Sequence, residues 1–587
     1  MSTESKKRSF SPFTYLNITQ FLGALNDNIY KLLIVYFLIG LEGPENSPTI
    51  LSLTGAIFVI PFLLFSAASG TLADRYSKST IIITTKILEV ITMSFGLIGF
   101  FFELKMGSYL ILFMMATQSA VFGPSKYGII PEIVPNEHIS KANGLMSFFT
   151  FFAIILGTFL ASFMTDITNR NFVISAIFCI LIAIIGLIFS CFIEYTPPAG
   201  SEKKVSPNIV SDIYRTIKRI WFEAPAPGVL LTAMGSSVYF LFIGAYMQLV
   251  LIPFAVQVLH ISDVQGGYLF LCTALGIGIG SFLAGRISGK TVELGLIPLA
   301  ALALGGSFFV LYSFADNWKA VIPIVVFMGM AGGMFLVPID SYIQVASPKQ
   351  LRGQVIAATN FFSFIGVLFA SFTLYLLTEI LQLKVDTTFI IIGIFAMIFA
   401  IMTLLQFFDF ATRFIGMILS RLHFKTTIIG EENIPSSPVI YVCPHTDWND
   451  TLLLLGAQRR RMRFFIQEEQ DHSPLFKKLY RLFRSVQLPQ VEPLENNQLK
   501  IKIIKKALKK GISVCIFIAH NDPEETIEQL KHSYCFDEVL DELDHPMIPV
   551  IINKEIKTPK DSSYLSRFLT QLHCPAVITF GHLTQDP

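Results

Sequence analysis

The hexapeptide "HTDWND", residues 445–450, combines two side chains that together can activate an alcohol. An imidazole takes up the proton of a hydroxyl group when a carboxylate orients its other ring nitrogen. His445 and Asp450 are five residues apart, so they can cooperate only if His445 lies in a turn and Asp450 in the first turn of the following helix. The activated alcohol would then attack an acyl thioester. The alternative is a capping turn, in which Thr446 or Asp447 caps that helix.

The composition places this turn behind a long membrane-like region. Of 587 residues, 53% are hydrophobic and only 15% are charged, whereas soluble proteins carry about 25% charged residues. A net charge of +2 gives no basis for binding nucleic acid. The seven cysteines lack CxxC spacing, which argues against a disulfide framework and a zinc site. We therefore expect a membrane protein without a metal or cofactor, whose first apolar segment is a retained helix rather than a signal peptide.

Long apolar runs with short polar breaks continue to about residue 412. A helix needs about 20 apolar residues to cross the hydrocarbon core of a bilayer. The sequence predicts about twelve such helices, near residues 14–41, 50–73, 80–102, 108–130, 144–165, 172–194, 228–258, 265–285, 293–314, 319–344, 355–381 and 387–410.

The loops on one side of these spans are basic, and the opposite loops are short and nearly neutral. By the positive-inside rule the basic loops and both termini are cytoplasmic. The longest break, 195–225, is predicted to be a cytoplasmic linker between two six-helix halves, 1–194 and 226–412. The basic residues on which this orientation depends are Arg75, Lys78, Lys203, Lys204, Arg215, Lys218, Arg219, Arg286, Lys290, Lys349 and Arg352.

The two halves resemble each other in sequence. "GTLADRYSKST" follows the second span, and "GSFLAGRISGKT" follows the second span of the second half. "FGPSKYGIIPEIVPNEHISKANGLMSFF" is likewise similar to "LVPIDSYIQVASPKQLRGQVIAATNFF". Duplicated halves with a ligand site between them are typical of secondary transporters.

The first span carries charges that a membrane disfavours. Asp27 lies within "GALNDNIYK", and Lys31 follows one helical turn later. A charge at the bilayer centre costs about 2.5 kcal/mol or more, so it should face a partner or a wet cavity. Asn26 and Asn28 favour the wall of a polar cavity, and we predict that Asp27, Asn28 and Lys31 contribute to transport. The alternative is a local Asp27–Lys31 pair without that role.

Three other predictions concern charges in later spans. Lys86 and Glu89 in the third span form a structural pair. Lys126 and Asp340 occupy related places in the two halves, where each can meet a lipid headgroup. Interfacial snorkelling is the alternative for both.

The loop "GTLADRYSK" resembles the signature of the major facilitator superfamily. The residues that would differ in their contacts between two transporter states are Gly70, Asp74, Arg75 and Lys78, with Arg286 in the related loop of the second half. "TQFLGALNDNIYKLLIVYFL", "QSAVFGPSKYGIIPE" and "GGMFLVPIDSYIQ" resemble the lysophospholipid transporter subfamily over about residues 14–410. The resemblance implies inward flipping of lysophosphatidylethanolamine and related lipids across a bacterial inner membrane.

After the spans, residues 413–587 have shorter apolar runs and more charges, which predicts a soluble α/β domain. "IIGEENIPSSPVIYVCPHTDWND" resembles the first block of the PlsC-type glycerolipid acyltransferases, and "PMIPVIIN" resembles their closing strand. The resemblance covers about residues 425–555. It implies that His445 is the base and Asp450 orients it, with an acyl donor that is acyl-acyl carrier protein or acyl-CoA.

Two blocks depart from that family. Its "FPEG" reads "FIAH" here, so that Ile518, Ala519 and His520 follow Phe517. The second block, which usually supplies an arginine, reads "FRSVQLPQVEPL". Arg484 and Arg463 are the predicted substitutes for binding the acceptor phosphate, and the run of arginines at 459–463 is otherwise a patch that contacts anionic lipid.

Fusion of the two parts resembles the front of bifunctional 2-acylglycerophosphoethanolamine acyltransferase/acyl-carrier-protein synthetases. An acyl-activating domain usually follows there, so we expect that enzyme to act in trans. Three functions stay open: transport coupled to reacylation, transport with a tail that only binds lipid or a partner, and transport of another amphiphile.

Overall fold

The computed structural model describes residues 11–202, 208–435, 437–445, 448–458, 460–467, 486–488, 495–509, 511–519, 545–554 and 574–581. The chain forms two compact units, Met1–Thr403 and Leu404–Pro587. The first is helical, and the second contains a β-sheet with helices.

Within the described residues, twelve helices of the first unit are long and apolar enough to cross a membrane, which confirms the predicted number. Two further helices, α5 and α8, are shorter. In chain order the helices are α1 (Ser11–Glu42), α2 (Ser47–Arg75), α3 (Lys78–Phe101), α4 (Lys105–Gly128), α5 (Ile130–Ile133), α6 (Ile139–Ile167), α7 (Phe172–Ser190), α8 (Ile209–Glu223), α9 (Pro227–Gln257), α10 (Asp263–Ser288), α11 (Leu296–Ser313), α12 (Trp318–Ala346), α13 (Arg352–Tyr375) and α14 (Val385–Gln406).

The segment 195–225, which composition indicated as a linker, contains α8. The Asn208 side chain begins this helix by accepting a hydrogen bond from the Ser211 backbone N–H at 3.0 Å. An asparagine at this position satisfies one of the free N–H groups of the first turn. Ile213, Thr216 and Ile220 recur at helical spacing and are buried. The segment is thus partly an ordered amphipathic helix.

The two halves of the first unit meet along pairs of helices, α6 with α10 and α2 with α13. Glycines allow the backbones to approach. A Cβ atom at Gly144 would lie 2.6 Å from the Ser281 carbonyl oxygen, and one at Gly70 would lie 2.8 Å from the Gly353 carbonyl oxygen. Side chains at these positions would therefore hold the halves apart.

The second unit begins with α15 (Phe408–His423), which starts before residue 413, the boundary that composition indicated. α15 packs against α16 (Trp448–Ala457). A third described helix, α17, spans Glu495–Lys509. The strands are β1 (Phe424–Ile429), β2 (Ile440–His445), β3 (Met462–Gln467), β4 (Val486–Leu488), β5 (Ser513–Ala519), β6 (Met547–Lys554) and β7 (Cys574–Phe580).

The seven described strands form one sheet in the order β1-β7-β6-β2-β5-β3-β4. Pairing is parallel except between β6 and β7. Ile440 and Tyr441 of β2, and Val514 and Cys515 of β5, are fully buried although successive side chains point to opposite faces. Central parallel strands covered on both faces have such continuous apolar sequences, so β2 and β5 form the middle of the core.

Candidate functional site

A cavity of about 250 Å³ lies among helices of both halves of the first unit. α1, α2, α3 and α4 contribute most of its wall, and Asn360 and Phe364 of α13 complete it. Charged residues of both signs line it. They are Asp27, Lys86, Glu89 and Lys126.

Asp27 is the acidic group of this cavity that has unused bonding capacity. Its Oδ2 accepts a hydrogen bond from the Ser119 hydroxyl at 2.7 Å. Its Oδ1 is buried and has no hydrogen-bond partner among the described residues. The local Asp27–Lys31 pair is not formed, because the Lys31 ammonium lies over the Phe58 ring, 4.8 Å from its centre. Asp27 can therefore accept a bond from a cationic ligand.

Asn28 and Lys31 do not line the cavity with Asp27. The Asn28 amide donates to the Ala24 carbonyl oxygen of its own helix at 2.7 Å. Lys31 lies one turn further along α1, at the Phe58 ring that does line the cavity. Of the three residues predicted from this span, the structure places only Asp27 in the wall.

Lys126 is a second cation of this cavity, beside Lys86. Its ammonium lies 4.7 Å from the centre of the Tyr127 ring and interacts electrostatically with both Asp27 and Asp340. Asp340 lines an adjoining cavity of about 180 Å³ in the second half. Tyr127 and Asn360 line both cavities. The structure thus brings together Asp27, Lys126 and Asp340, which are far apart in the sequence.

Lys86 and Glu89 form the predicted pair. The Lys86 ammonium lies 2.6 Å from Glu89 Oε2, and the Asn26 amide donates to Glu89 Oε1 at 3.1 Å. Both side chains are about 1% exposed. The two charges of this pair neutralise each other, so the pair adds polarity to the cavity wall. Asp27 and Lys126 keep the capacity to bind a ligand.

Asp74 joins the two halves at one end of the helices. Its carboxylate accepts from the Gly353 and Gln354 backbone N–H groups at 2.6 and 2.9 Å, and from the Gln354 side chain at 3.1 Å. These N–H groups lie in the first turn of α13, where a carboxylate is favoured by the helix dipole. We call the Asp74, Gly353 and Gln354 contacts the clasp.

The other predicted loop residues have different surroundings. Lys78 pairs with Glu132 at 2.6 Å. Arg75 and Arg286 are exposed. At the same end, the Asn143 amide donates to the Ser341 hydroxyl at 3.1 Å and to Gln344 Oε1 at 2.9 Å. Glu132 and Asn143 were not among the predicted residues, although both lie in the segment that repeats between the halves.

Gly70→Ala is expected to open the clasp. The added methyl group would lie 2.5 Å from the Ala357 Cβ atom and 2.8 Å from the Gly353 carbonyl oxygen. Such overpacking costs about 1–3 kcal/mol, or roughly 5- to 150-fold in the equilibrium between states. The measurement is the reaction of a Ser341→Cys thiol with a water-soluble maleimide in purified protein without native cysteines, because Ser341 is buried beside Asn143. We expect faster labelling.

Gly55→Ala is the matched control, since it lies on the same helix and an added methyl group meets no atom within 4 Å. Equal labelling rates in Gly70→Ala and Gly55→Ala would contradict the role of Gly70 in closing this interface.

In the second unit, Asp450 lies in the first turn of a helix, as expected, whereas His445 is the last residue of a strand and not part of the turn. His445 ends β2, α16 begins three residues later, and Asp450 is buried in its first turn. His445 pairs in register with Ala519 at the end of β5. The carboxyl ends of central parallel strands are the usual ligand edge of an α/β sheet. The third residue of the altered "FIAH" block, Ala519, therefore lies beside the predicted base.

Asp450 lies close to the buried centre of the sheet. Burial, together with the Asp450 carboxylate, raises the pKa of the Cys515 thiol well above its usual range. Burial likewise raises the pKa of Tyr441 to about 12. Cys515 therefore stays a neutral thiol at physiological pH.

Arg463 does not lie beside His445. It pairs in register with Val514 at the start of β5, whereas His445 pairs with Ala519 at its end. Five residues of strand separate these positions by roughly 16 Å. Because β3 and β5 are parallel, Arg463 lies near the amino ends of the strands, whereas His445 lies at the carboxyl ends. This position removes Arg463 from the predicted acceptor site. Arg484 lies outside the described residues, as do Thr446, Asp447, Arg459, His520 and the side chain of His445.

Comparison with known proteins assigns both units. The family model described as Major Facilitator Superfamily matches residues 16–371, and the Acyltransferase family model matches residues 425–553. Lysophospholipid transporter LplT of Photorhabdus laumondii is 27% identical over 348 residues, covering 58% of this chain and 82% of the relative. The Klebsiella pneumoniae protein of that name is 25% identical over 349 residues, with the same coverage.

Solved structures share the fold of the first unit. The human organic anion transporter MFSD10 aligns with a TM-score of 0.54 and 14% identity, covering 66% of this chain and 99% of that chain. The E. coli fucose:proton symporter FucP aligns with a TM-score of 0.55 and 13% identity, covering 68% and 98%. The chain therefore belongs to the Major Facilitator Superfamily, as a multi-pass membrane protein that carries an acyltransferase-family domain after its apolar helices.

Proposed function

We propose that this protein moves lysophospholipids inward across a bacterial inner membrane and reacylates them with its second unit. The observation that carries the transport part is the cavity with a free Asp27 oxygen and a Lys126 ammonium. A lysophosphatidylethanolamine headgroup carries an ammonium and a phosphate. Asp27 would bind the ammonium and Lys126 the phosphate, as charge-assisted hydrogen bonds favour. The similar proteins named lysophospholipid transporters support this substrate class.

The acyl transfer follows from the turn after β2. His445 takes the proton of the lysolipid hydroxyl group while Asp450 orients its ring. The hydroxyl oxygen then forms a bond with the thioester carbonyl carbon, the carbon–sulfur bond breaks, and the proton passes to the departing thiol. Acyl-acyl carrier protein or acyl-CoA supplies the acyl group, and a separate acyl-activating enzyme would recharge the carrier.

Both termini and the second unit face the cytoplasm in this proposal. The basic loops support that orientation through the positive-inside rule, and the donors of the acyl group are cytoplasmic. The clasp then lies at the cytoplasmic end of the helices, and it closes the path to that side.

A second candidate is transport with a tail that only binds lipid. It is favoured by one observation, the register that puts Ala519 of "FIAH" beside His445. The family's "FPEG" block binds the acceptor. Its replacement at this position would weaken acceptor binding and so lower the rate of acyl transfer.

Right-side-out vesicles test the coupled function and the orientation together. Labelled lysophosphatidylethanolamine is added outside, and a membrane-impermeant acyl-CoA or acyl carrier protein thioester is either trapped inside or added outside. We expect labelled diacyl phospholipid with the donor inside, and none with the donor outside.

The control vesicles lack the protein. Uptake without diacyl product, with either donor inside, would refute the coupled function and leave the second candidate. Product formed only with the donor outside would refute the orientation. Absence of protein-dependent uptake would refute the substrate class.

A further inference from the structure

The helix α8 has two apolar surfaces, and the residues that the structure describes cover one of them. Its inner face, with Ile213, Thr216 and Ile220, is buried. A second stripe beside it is exposed: Val210 by 74%, Tyr214 by 69% and Trp221 by 60%. Residues 210, 214 and 221 project within about 40° of one another at 100° per residue. Adjoining exposed apolar side chains of this size mark an interaction site.

The stripe lies at the level of the membrane surface. α8 connects α7 to α9, so both of its ends emerge on the same side of the helical region. It packs against α2, α9 and α13, and Glu223 at its end is only a few residues from the first residue of α9. Fifteen residues form a helix of about 22 Å, which is too short to cross the hydrocarbon. α8 therefore lies against the ends of membrane helices.

Basic side chains flank the aromatic stripe on the side away from the buried face. Lys218 and Arg215 are exposed, and neither forms an ion pair with any residue the structure describes. Arg219 pairs with Glu223 at 2.8 Å and is thereby partly neutralised. Around the helix the order is protein-facing, aromatic, then a sector in which the exposed Phe222 projects between Lys218 and Arg215.

This order fits one occupant, the headgroup region of a bilayer. Tryptophan and tyrosine concentrate at the membrane–water interface, and amphipathic helices with a basic edge lie in that plane on anionic lipid. A protein partner would explain neither the position of α8 at the membrane surface nor the basic residues beside the aromatic stripe. We propose that α8 is a membrane-surface helix that binds anionic phospholipid through Arg215 and Lys218, with Tyr214 and Trp221 in the headgroup layer. This surface is separate from the cavity and does not depend on the transported molecule.

The test uses Trp221 as its own reporter. The chain has three tryptophans, so Trp318→Phe with Trp448→Phe leaves Trp221 alone, and a tryptophan-free variant gives the background. The full chain is reconstituted with dibrominated phosphatidylglycerol or dibrominated phosphatidylcholine of identical acyl chains. We expect quenching by both lipids, and stronger quenching at equal mole fraction by the anionic one.

Arg215→Gln with Lys218→Gln should remove the preference. One basic side chain near an anionic surface contributes roughly fivefold in binding, and two contribute roughly 30-fold. The matched control is Lys290→Gln with Lys349→Gln, which removes the same charge from exposed loops and should keep the preference. The wild-type preference should also fall between 0.1 and 1 M salt, because the screening length shortens from about 10 to 3 Å.

Three results would overturn the proposal. If neither lipid quenches Trp221, protein covers the stripe. If both lipids quench equally, α8 does not select anionic headgroups. If the control pair loses the preference as fully as the α8 pair, the effect is one of net charge and does not belong to this helix.

Discussion

His445→Ala is expected to abolish the conversion of lysophospholipid to diacyl phospholipid while leaving lysophospholipid uptake intact. His445 ends β2 at the carboxyl edge of the sheet, with Asp450 in the turn of helix that follows. Loss of a general base lowers a rate by about 10²–10⁴-fold. Every described residue that lines the cavity with Asp27 and Lys126 belongs to helices of the first unit, so we expect transport without this imidazole. A thin-layer assay of purified protein with labelled acyl donor measures the conversion.

His545→Ala is the matched control within the same unit. His545 precedes β6, which runs parallel to β2, so it lies at the opposite edge of the sheet from His445. It should keep wild-type acylation. Wild-type acylation by His445→Ala would show that another group is the base. If wild-type protein acylates no lysolipid from either donor, the change from "FPEG" to "FIAH" is disabling and the second unit is a binding module.

The number of membrane helices and the position of the acyltransferase-like turn could be predicted because each depends on local pattern. Apolar runs of membrane length and a strand followed by "HTDWND" need no knowledge of distant contacts. Lys86 and Glu89 were also predictable, since residues three apart on a helix are neighbours.

Contacts between distant segments could not be read in this way. Lys31 is one turn from Asp27 in sequence, yet its ammonium lies over Phe58 of another helix. The Asn28 amide donates to the backbone of its own helix and does not line the cavity with Asp27. Such choices depend on how helices rotate against each other, which spacing within one helix does not specify.

Arg463 shows the same limit in the sheet. Its proximity in sequence to the arginine run and to α16 suggested a phosphate ligand, but strand register decides which edge a residue occupies. Only the pairing of β3 with β5 reveals that Arg463 lies near the amino ends of the parallel strands. α8 illustrates the converse, because the helical spacing of Ile213, Thr216 and Ile220 within the segment 195–225 is a local pattern that indicates an amphipathic helix.

Asp27→Asn should lower lysophosphatidylethanolamine uptake by about 10- to 100-fold without loss of folded protein. The amide keeps the volume of the side chain and can still contact Ser119, whose hydroxyl lies 2.7 Å from Oδ2. The substitution removes the negative charge that the unpartnered Oδ1 offers to an ammonium group. Hydrogen bonds to charged groups contribute about 1.5–3 kcal/mol, which gives that range of effect. Uptake into proteoliposomes is measured at equal protein content, with Asp166→Asn as the control because Asp166 is exposed at the end of α6. A substrate without an ammonium, lysophosphatidylglycerol, should be affected less. Wild-type uptake by a folded Asp27→Asn protein, or an equal loss with both lipids, would show that Asp27 does not bind the ammonium group.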